Sequence, residues 1–362
     1  MDLFDEIKTL TKKLVSIPSM NATSGERDIA DAIEAYLRDI PYFKAHPELV
    51  ITQDLKEDPL HRRNVMALLK GGDGTERDTI MLHGHIDTVD VDDFGRYKPY
   101  AFDCDKLAEV FRDAELPEDA RRDLESGDYL FGRGACDMKG GAAVQLAVFE
   151  DYAFQPGQAS LIYLSLPDEE TYSAGMRTAI TLLNELRSSY DLTYDILIDS
   201  EPNHKEQGKL VAYTGSVGKI QPVVLVQGKP VHIGCYDKGI NPVGILAHLI
   251  AATEGSPDLT DCCDGEQTPP PAWVYLRDRK ERYDVTLPQR VAAALNLLTY
   301  DKTPDDVMYV LLEETRRAVH DLQQTMGSDL PVSVCSADEL LQQASAYPGF
   351  DVFYEAAKQA SF

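Results

Sequence analysis

Four clusters of acidic and histidine residues, each placed after a short hydrophobic run, constrain the fold more than any other feature of this sequence. They are His85-Ile-Asp87, Asp137, the pair Glu169-Glu170, and Asp199-Ser-Glu201. In an open, mostly parallel α/β sheet the carboxyl ends of the strands collect ligands and catalytic groups, so all four clusters can meet in one crevice. This arrangement is typical of a metal site.

The hydrophobic runs before three of these clusters span residues 78–82, 159–166 and 194–198. They are short, apolar and rich in β-branched and aromatic residues, as strands buried on both faces are. Asp137 follows Tyr129-Leu-Phe131 through a glycine-rich bend and precedes an alanine-rich stretch with a helical pattern. We therefore expect each cluster to lie on a connection from a strand to a helix.

The first 211 residues are predicted to form a three-layer α/β catalytic domain with a mostly parallel sheet, because strand and helix patterns alternate as far as Pro202. A first amphipathic helix precedes a second one, for which a capping box from Thr23 to Glu26 is expected. The inward face of the second helix carries Ile29, Ile33, Tyr36 and Leu37. The charged segment 90–127 is expected to be an insertion bordering the crevice.

Residues 212–362 are predicted to form a second, α+β domain. An alternating strand at 220–226 is followed by a helix at 242–252 and a further strand at 292–298. A last helix is expected to be capped by Thr303, with Asp306 three residues later.

Composition excludes several classes of function. The formal net charge of −26 and the absence of a basic run argue against nucleic acid and against an anionic membrane surface. The acidic start does not resemble a signal peptide, and no apolar stretch approaches the roughly 20 residues that span a bilayer. The six cysteines lack a Cys-x-x-Cys spacing and are expected to be reduced thiols. A cytoplasmic enzyme fits these features best.

The motifs resemble those of the zinc metallopeptidase family of acetylornithine deacetylase, succinyl-diaminopimelate desuccinylase and aminoacylase. They are His85-x-Asp87, Gly132-Arg-Gly-x-x-Asp137-Met-Lys-Gly-Gly141, Asp168-Glu169-Glu170, Glu201-Pro202, and Gly228-Lys-Pro-Val-His232 through Gly239-Ile-Asn241. Within the family, the chain is similar to arginine-utilisation proteins of the RocB type, which implies a role in arginine degradation. The resemblance implies a zinc-exopeptidase-like fold and hydrolysis of peptides or N-acyl amino acids.

The resemblance also implies a role for each site residue. His85 and Glu201 would bind one zinc ion, Asp137 would bridge two, and Glu170 would bind the second. Glu169 would be the general base, and Asp87 would orient His85. Two zinc ions about 3.5–4 Å apart need such a bridging carboxylate, and a histidine ligand normally donates its other ring N–H to a carboxylate. Manganese or cobalt would also suit a shell of carboxylates and imidazole.

Two ligand assignments leave alternatives. Asp199 competes with Glu201, since both follow the same strand and face the same way, and Glu201 is preferred because the family's ligand here is commonly followed by proline. His83 shares a strand face with His85 and is interpreted as a supporting or partly exposed residue, not as a further ligand. His204 is expected in a surface loop.

The second domain resembles the family's lid, which implies a homodimer formed through this domain. His232 would then reach the active site of the neighbouring subunit and stabilise an oxyanion, although it could equally fill an ordinary strand position. Asn241 could contact substrate, but it is also fully explained as the N-cap of a helix that begins with Pro242.

One departure from the family concerns the second zinc ion. The family takes a late histidine for it, whereas the only histidine after His248 is His320, in apparent lid sequence. We therefore expect a chain that is truncated at its C-terminus relative to its relatives, with one or two zinc ions. Two hypotheses follow: a zinc-dependent amide hydrolase, or a catalytically incomplete homologue that keeps the fold and dimerises.

Overall fold

The computed structural model describes residues 2–72, 78–203, 205, 208–326 and 332–360. The chain divides into two compact units, residues 1–211 and residues 212–362.

Unit 1 is built on a five-stranded sheet in the order β1-β2-β4-β3-β5. Its strands are β1 (Val50–Asp54), β2 (Arg63–Leu69), β3 (Asp78–His85), β4 (Ser160–Leu166) and β5 (Thr193–Asp199). β3 pairs in parallel with both β4 and β5, while β2 is antiparallel to β1 and to β4. Only β2 therefore runs against the other four, and the predicted α/β class with a mostly parallel sheet is confirmed.

Seven helices belong to the described part of unit 1. They are α1 (Leu3–Val15), α2 (Gly25–Asp39), α3 (Pro41–Ala45), α4 (Cys104–Phe111), α5 (Glu118–Ser126), α6 (Lys139–Phe154) and α7 (Ala174–Tyr190). The predicted inward residues Ile29, Ile33 and Leu37 of α2 are fully buried in the core. Burial of one such side chain stabilises the fold by about 1.5–3 kcal/mol.

Two local predictions in unit 1 are wrong. The capping box of α2 does not form, because Ser24 is the N-cap residue and Glu26 accepts a hydrogen bond from the backbone of Ala22 instead. The run Tyr129-Leu-Phe131 is a loop instead of a strand, so Asp137 is reached through an irregular segment. The expected insertion at 90–127 contains α4, α5 and a 3₁₀ segment at 92–100.

Unit 2 contains an antiparallel sheet whose central strand is β11 (Arg290–Thr299). β10 (Ala272–Asp278) pairs with one edge of β11, and β6 (Gly218–Ile220) and β7 (Val223–Gln227) pair with the other. The single strand predicted at 220–226 is thus interrupted at Gln221 and Pro222. β8 (Cys262–Cys263) and β9 (Glu266–Gln267) form a separate hairpin.

The helices of unit 2 are α8 (Pro242–Thr253), α9 (Pro304–Met326), α10 (Ala337–Ala344) and α11 (Phe350–Ala360). Leu246 and Leu249 of α8 pack with Val291 and Ala293 of β11 and with Ala318 of α9. Thr303 and Asp306 exchange hydrogen bonds at the start of α9, as predicted. None of the described helices is long and apolar enough to cross a membrane.

Candidate metal centre

The predicted ligands come from the ends of neighbouring strands and from one helix start. His85 is the last residue of β3, Glu169 and Glu170 follow β4, and Asp199 ends β5. Because β3, β4 and β5 are parallel, their carboxyl ends meet at one edge of the sheet. Asp137 reaches this edge from the loop before α6.

Three side chains converge closely enough to share a cation. The ligand atoms of His85, Asp137 and Glu170 all lie within 4.8 Å of one another. His85 Nε2 is 2.8 Å from Asp137 Oδ1. One imidazole with carboxylates is a donor set that suits zinc, whose bonds to nitrogen and oxygen are about 2.0–2.2 Å long. The residues present therefore fit a metal ion.

Glu201 and Asp199 occupy different surroundings. Glu201 Oε1 lies 3.5 Å from His85 Nε2, whereas Asp199 Oδ2 lies 3.4 Å from His83 Nε2. Of the two carboxylates, Glu201 is thus the one beside the cluster of His85, Asp137 and Glu170.

The site favours positive charge. Burial alone would lower the pKa of the His85 imidazole, but the carboxylates of Asp137, Asp87 and Glu201 outweigh it and raise that pKa to about 11. The hydrogen bond with His85 lowers the pKa of Asp137 against the effect of burial. Burial raises the pKa of Glu201 to about 7, and it raises the pKa of Glu170 with help from the charge of Asp137. A divalent cation would compete with protons for these groups.

Zinc is expected to raise the melting temperature (Tm) more at pH 8 than at pH 6. Because the folded pKa of Glu201 is raised to about 7 from its usual 4.5, the stability associated with this group is present below pH 4.5 and lost as pH rises through 7. Zinc would bind the charged form and compensate for that loss, and each displaced proton would change the zinc affinity by up to about tenfold per pH unit. Thermal melts with and without zinc at both pH values measure the effect; an equal or larger shift at pH 6 would contradict it.

Asp87 has a second task besides contacting His85. Its backbone oxygen lies 3.0 Å from His85 Nδ1, and its Oδ1 lies 3.5 Å from the same nitrogen. Its two carboxylate oxygens accept the backbone N–H groups of Glu169 and Glu170, both at 3.0 Å. The fully buried Asp87 therefore also holds the backbone of the glutamate pair, a contact that no sequence pattern indicated.

Further contacts tie the site to the core. Gln145 Nε2 in α6 donates to the carbonyl oxygens of His83 at 2.9 Å and of Ile198 at 3.3 Å, and so links β3 to β5. Gly141 allows α6 to approach β5, because a Cβ there would lie 2.1 Å from the carbonyl oxygen of Ser200. The sequence predicts a helix at Gln145, but no sequence pattern indicates its contacts with β3 and β5.

The remaining predicted residues lie in varied places. His83 is partly buried beside Asp199, and burial lowers its pKa. His204 lies outside the described residues. In unit 2, His232 is exposed and its Nδ1 accepts the backbone N–H of Gly234, while Asn241 caps α8 by accepting the N–H of Val243. The N-cap interpretation of Asn241 is confirmed, and its contact with substrate stays a prediction.

Comparison with known proteins decides the family. Residues 81–335 match the profile of Peptidase family M20/M25/M40. The chain belongs to this family. Among its relatives, Protein RocB of Bacillus subtilis is 35% identical over 90% of this chain, and the uncharacterized protein YqjN of the same organism is 30% identical over 95%. A succinyl-diaminopimelate desuccinylase of Sulfurimonas denitrificans is 25% identical over 89% of the chain and 77% of its own length.

The chain spans 58% of the length of RocB and 66% of the length of YqjN. Two solved structures agree with the fold. An M20 metallo-carboxypeptidase of Sulfolobus solfataricus gives a TM-score of 0.60 at 15% identity, covering 87% of this chain and 76% of that one. The di-peptidase Dug1p of Saccharomyces cerevisiae gives 0.59 at 14% identity, with coverages of 89% and 76%.

Proposed function

We propose that this protein is a metal-dependent amide hydrolase that acts on small peptides or N-acyl amino acids. The observation that carries the proposal is the convergence of His85, Asp137 and Glu170, with Glu169 held beside them by Asp87. Membership in the M20 peptidase family supports the same reaction class. Each element of this arrangement has a chemical task in amide hydrolysis.

Two zinc ions are proposed, with manganese or cobalt as substitutes. His85 and Glu201 would bind one ion, and Glu170 would bind the other. Asp137 would bind both ions. The 3.5 Å separation of Glu201 Oε1 and His85 Nε2 supports Glu201 over Asp199. When bound, zinc polarises a carbonyl oxygen and acidifies water. His85 keeps its orientation because its Nδ1 faces the backbone oxygen of Asp87.

Glu169 is proposed as the general base. Its side chain is exposed while its backbone N–H is fixed by Asp87, so the carboxylate can meet a substrate at a constant position. It would take a proton from the water that attacks the amide carbon. As the C–N bond breaks, it would deliver that proton to the leaving amine.

The substrate class follows from the relatives by analogy. A desuccinylase removes an acyl group from an amino acid, and the structural neighbours include a carboxypeptidase and a di-peptidase. Similarity to RocB supports a place in arginine degradation. We further propose a cytoplasmic homodimer formed through unit 2, in which His232 donates to the oxyanion of the partner's substrate and Asn241 contacts substrate.

Hydrolysis assays test this function. Purified protein supplied with zinc is incubated with a panel of dipeptides and of N-acetyl and N-succinyl amino acids, and the released amines are quantified. We expect release from at least one class, with loss on chelation and recovery on adding zinc. A folded, zinc-loaded protein that releases nothing from the whole panel would instead support the catalytically incomplete homologue.

A further inference from the structure

The loop after β4 presents three consecutive backbone N–H groups to two buried carboxylates. Asp168 N donates to Glu26 Oε2 at 2.9 Å. Glu169 N and Glu170 N donate to the two oxygens of Asp87, each at 3.0 Å. Both accepting side chains are fully buried. The backbone of the loop that carries the glutamate pair is therefore held by Glu26 as well as by Asp87.

Arg62, the residue before β2, joins this arrangement. Its Nη1 lies 3.2 Å from Glu26 Oε1 and 2.5 Å from Asp168 Oδ1. Its Nε and Nη2 each donate to the carboxylate of Asp58 at 3.0 Å, which makes a bidentate contact. Because the guanidinium group is planar, these bonds fix Glu26 and Asp168 relative to each other.

The side chain of Asp168 also binds the residues that follow it in the loop. Its Oδ1 accepts the hydroxyl of Thr171 at 2.6 Å, and its Oδ2 accepts the backbone N–H of Ala174 at 3.0 Å. Its own backbone adopts a left-handed conformation with φ of 70°. A residue other than glycine stays in this conformation only when its surroundings determine it. The contacts of Asp168 provide that constraint.

The network is costly to bury, because its charged groups lose their contacts with water. Both carboxylate oxygens of Glu26 accept hydrogen bonds. Oε1 accepts them from Ala22 N and Arg62, and Oε2 accepts one from Asp168 N. Replacing a buried ion pair by apolar residues is often neutral or stabilising. What an apolar cluster could not supply is a directional acceptor for the N–H of Asp168.

We propose that Glu26 and Arg62 are positioning residues that hold the Glu169–Glu170 pair in its working geometry. The inference rests on the proposed function, because that function gives the pair its roles as base and ligand. Neither residue reaches the reacting atoms. They act through the backbone of Asp168, and so they affect both the placement of Glu169 and the hold of Glu170 on zinc.

Two variants weaken the network in different ways. Glu26→Gln leaves a single side-chain oxygen to accept the hydrogen bonds of Ala22 N, Arg62 and Asp168 N. Arg62→Lys keeps the positive charge but loses the bidentate contact with Asp58. We expect kcat to fall by about 10–100-fold with little change in KM, and zinc affinity to fall by a similar factor, as is typical for the partners of metal ligands. We also expect faster amide hydrogen exchange in a peptide covering 167–171.

The matched control is Arg63→Lys. Arg63 follows Arg62 and begins β2, but its contacts are with Asp31 and Glu34, away from this loop. This variant is expected to keep wild-type kcat, zinc affinity and exchange. Thr171→Val is a milder probe, because it removes only the hydroxyl donor to Asp168. Arg62→Lys decides the question if Glu26→Gln does not fold.

The readouts separate failure of this inference from failure of the proposed function. If the wild-type protein hydrolyses nothing, the proposed function fails, yet zinc affinity and exchange of residues 167–171 still test the positioning role. Folded Arg62→Lys and Thr171→Val proteins with wild-type exchange, zinc affinity and kcat would overturn the inference. Faster exchange confined to this loop, with weaker zinc binding, would support it.

Discussion

Replacing Glu169 by glutamine is expected to lower kcat for amide hydrolysis by about 10²–10⁴-fold, the usual contribution of general acid–base catalysis. Glutamine keeps the size of the side chain and the backbone contact with Asp87, but it cannot accept the proton of the attacking water. Zinc content is expected to stay at the wild-type value, because Glu169 is not proposed as a ligand. Steady-state kinetics and elemental analysis on the same sample measure both.

The control for this variant is Glu185→Gln, which changes an exposed glutamate of α7. It should retain wild-type kcat and zinc content. If Glu169→Gln kept most of its activity, another group would have to be the base. If instead it lost zinc together with activity, Glu169 would be a ligand and the two glutamates would have exchanged roles.

Replacing Asp137 by asparagine is expected to weaken zinc binding by at least about 100-fold and to abolish hydrolysis. Changing a mere partner of a metal ligand already costs about 10–100-fold, and Asp137 lies 2.8 Å from His85 Nε2 at the centre of the cluster. Its side chain is half exposed, so the fold should survive, as circular dichroism would verify. Titration with a competing chelator measures the affinity.

Asp199→Asn is the matched control for Asp137→Asn. Asp199 is a neighbouring carboxylate at the same sheet edge, but it pairs with His83 instead of His85. Zinc affinity is expected to change little in this variant. A loss of zinc on Asp199→Asn with none on Asp137→Asn would mean that the ligand set has been assigned to the wrong carboxylates.

The sequence predicted that His85 and Glu170 would lie close together, because strand periodicity and topology determine their placement. Residues that end parallel strands meet at one edge, which brings His85 to Glu170 although they are far apart in the chain. Alternation along β5 could not separate Asp199 from Glu201, since residues two apart share a face. The distances to His83 and His85 distinguish them.

The residues that support the glutamate pair could not be predicted in the same way. Glu26 follows Thr23 at the spacing of a capping box, which is a local pattern, yet its carboxylate turns inward to Arg62 and to the backbone of Asp168. Its partners are 36 and 142 residues away in the chain, so no local pattern reveals them. Tertiary contacts override the helix-capping preference here.

The most direct test of the metal centre is anomalous X-ray diffraction at the zinc edge from crystals grown with zinc. We expect anomalous density within bonding distance of His85 Nε2 and of the carboxylates of Asp137 and Glu170. Crystals of the folded protein without anomalous density at these three side chains would contradict this expectation.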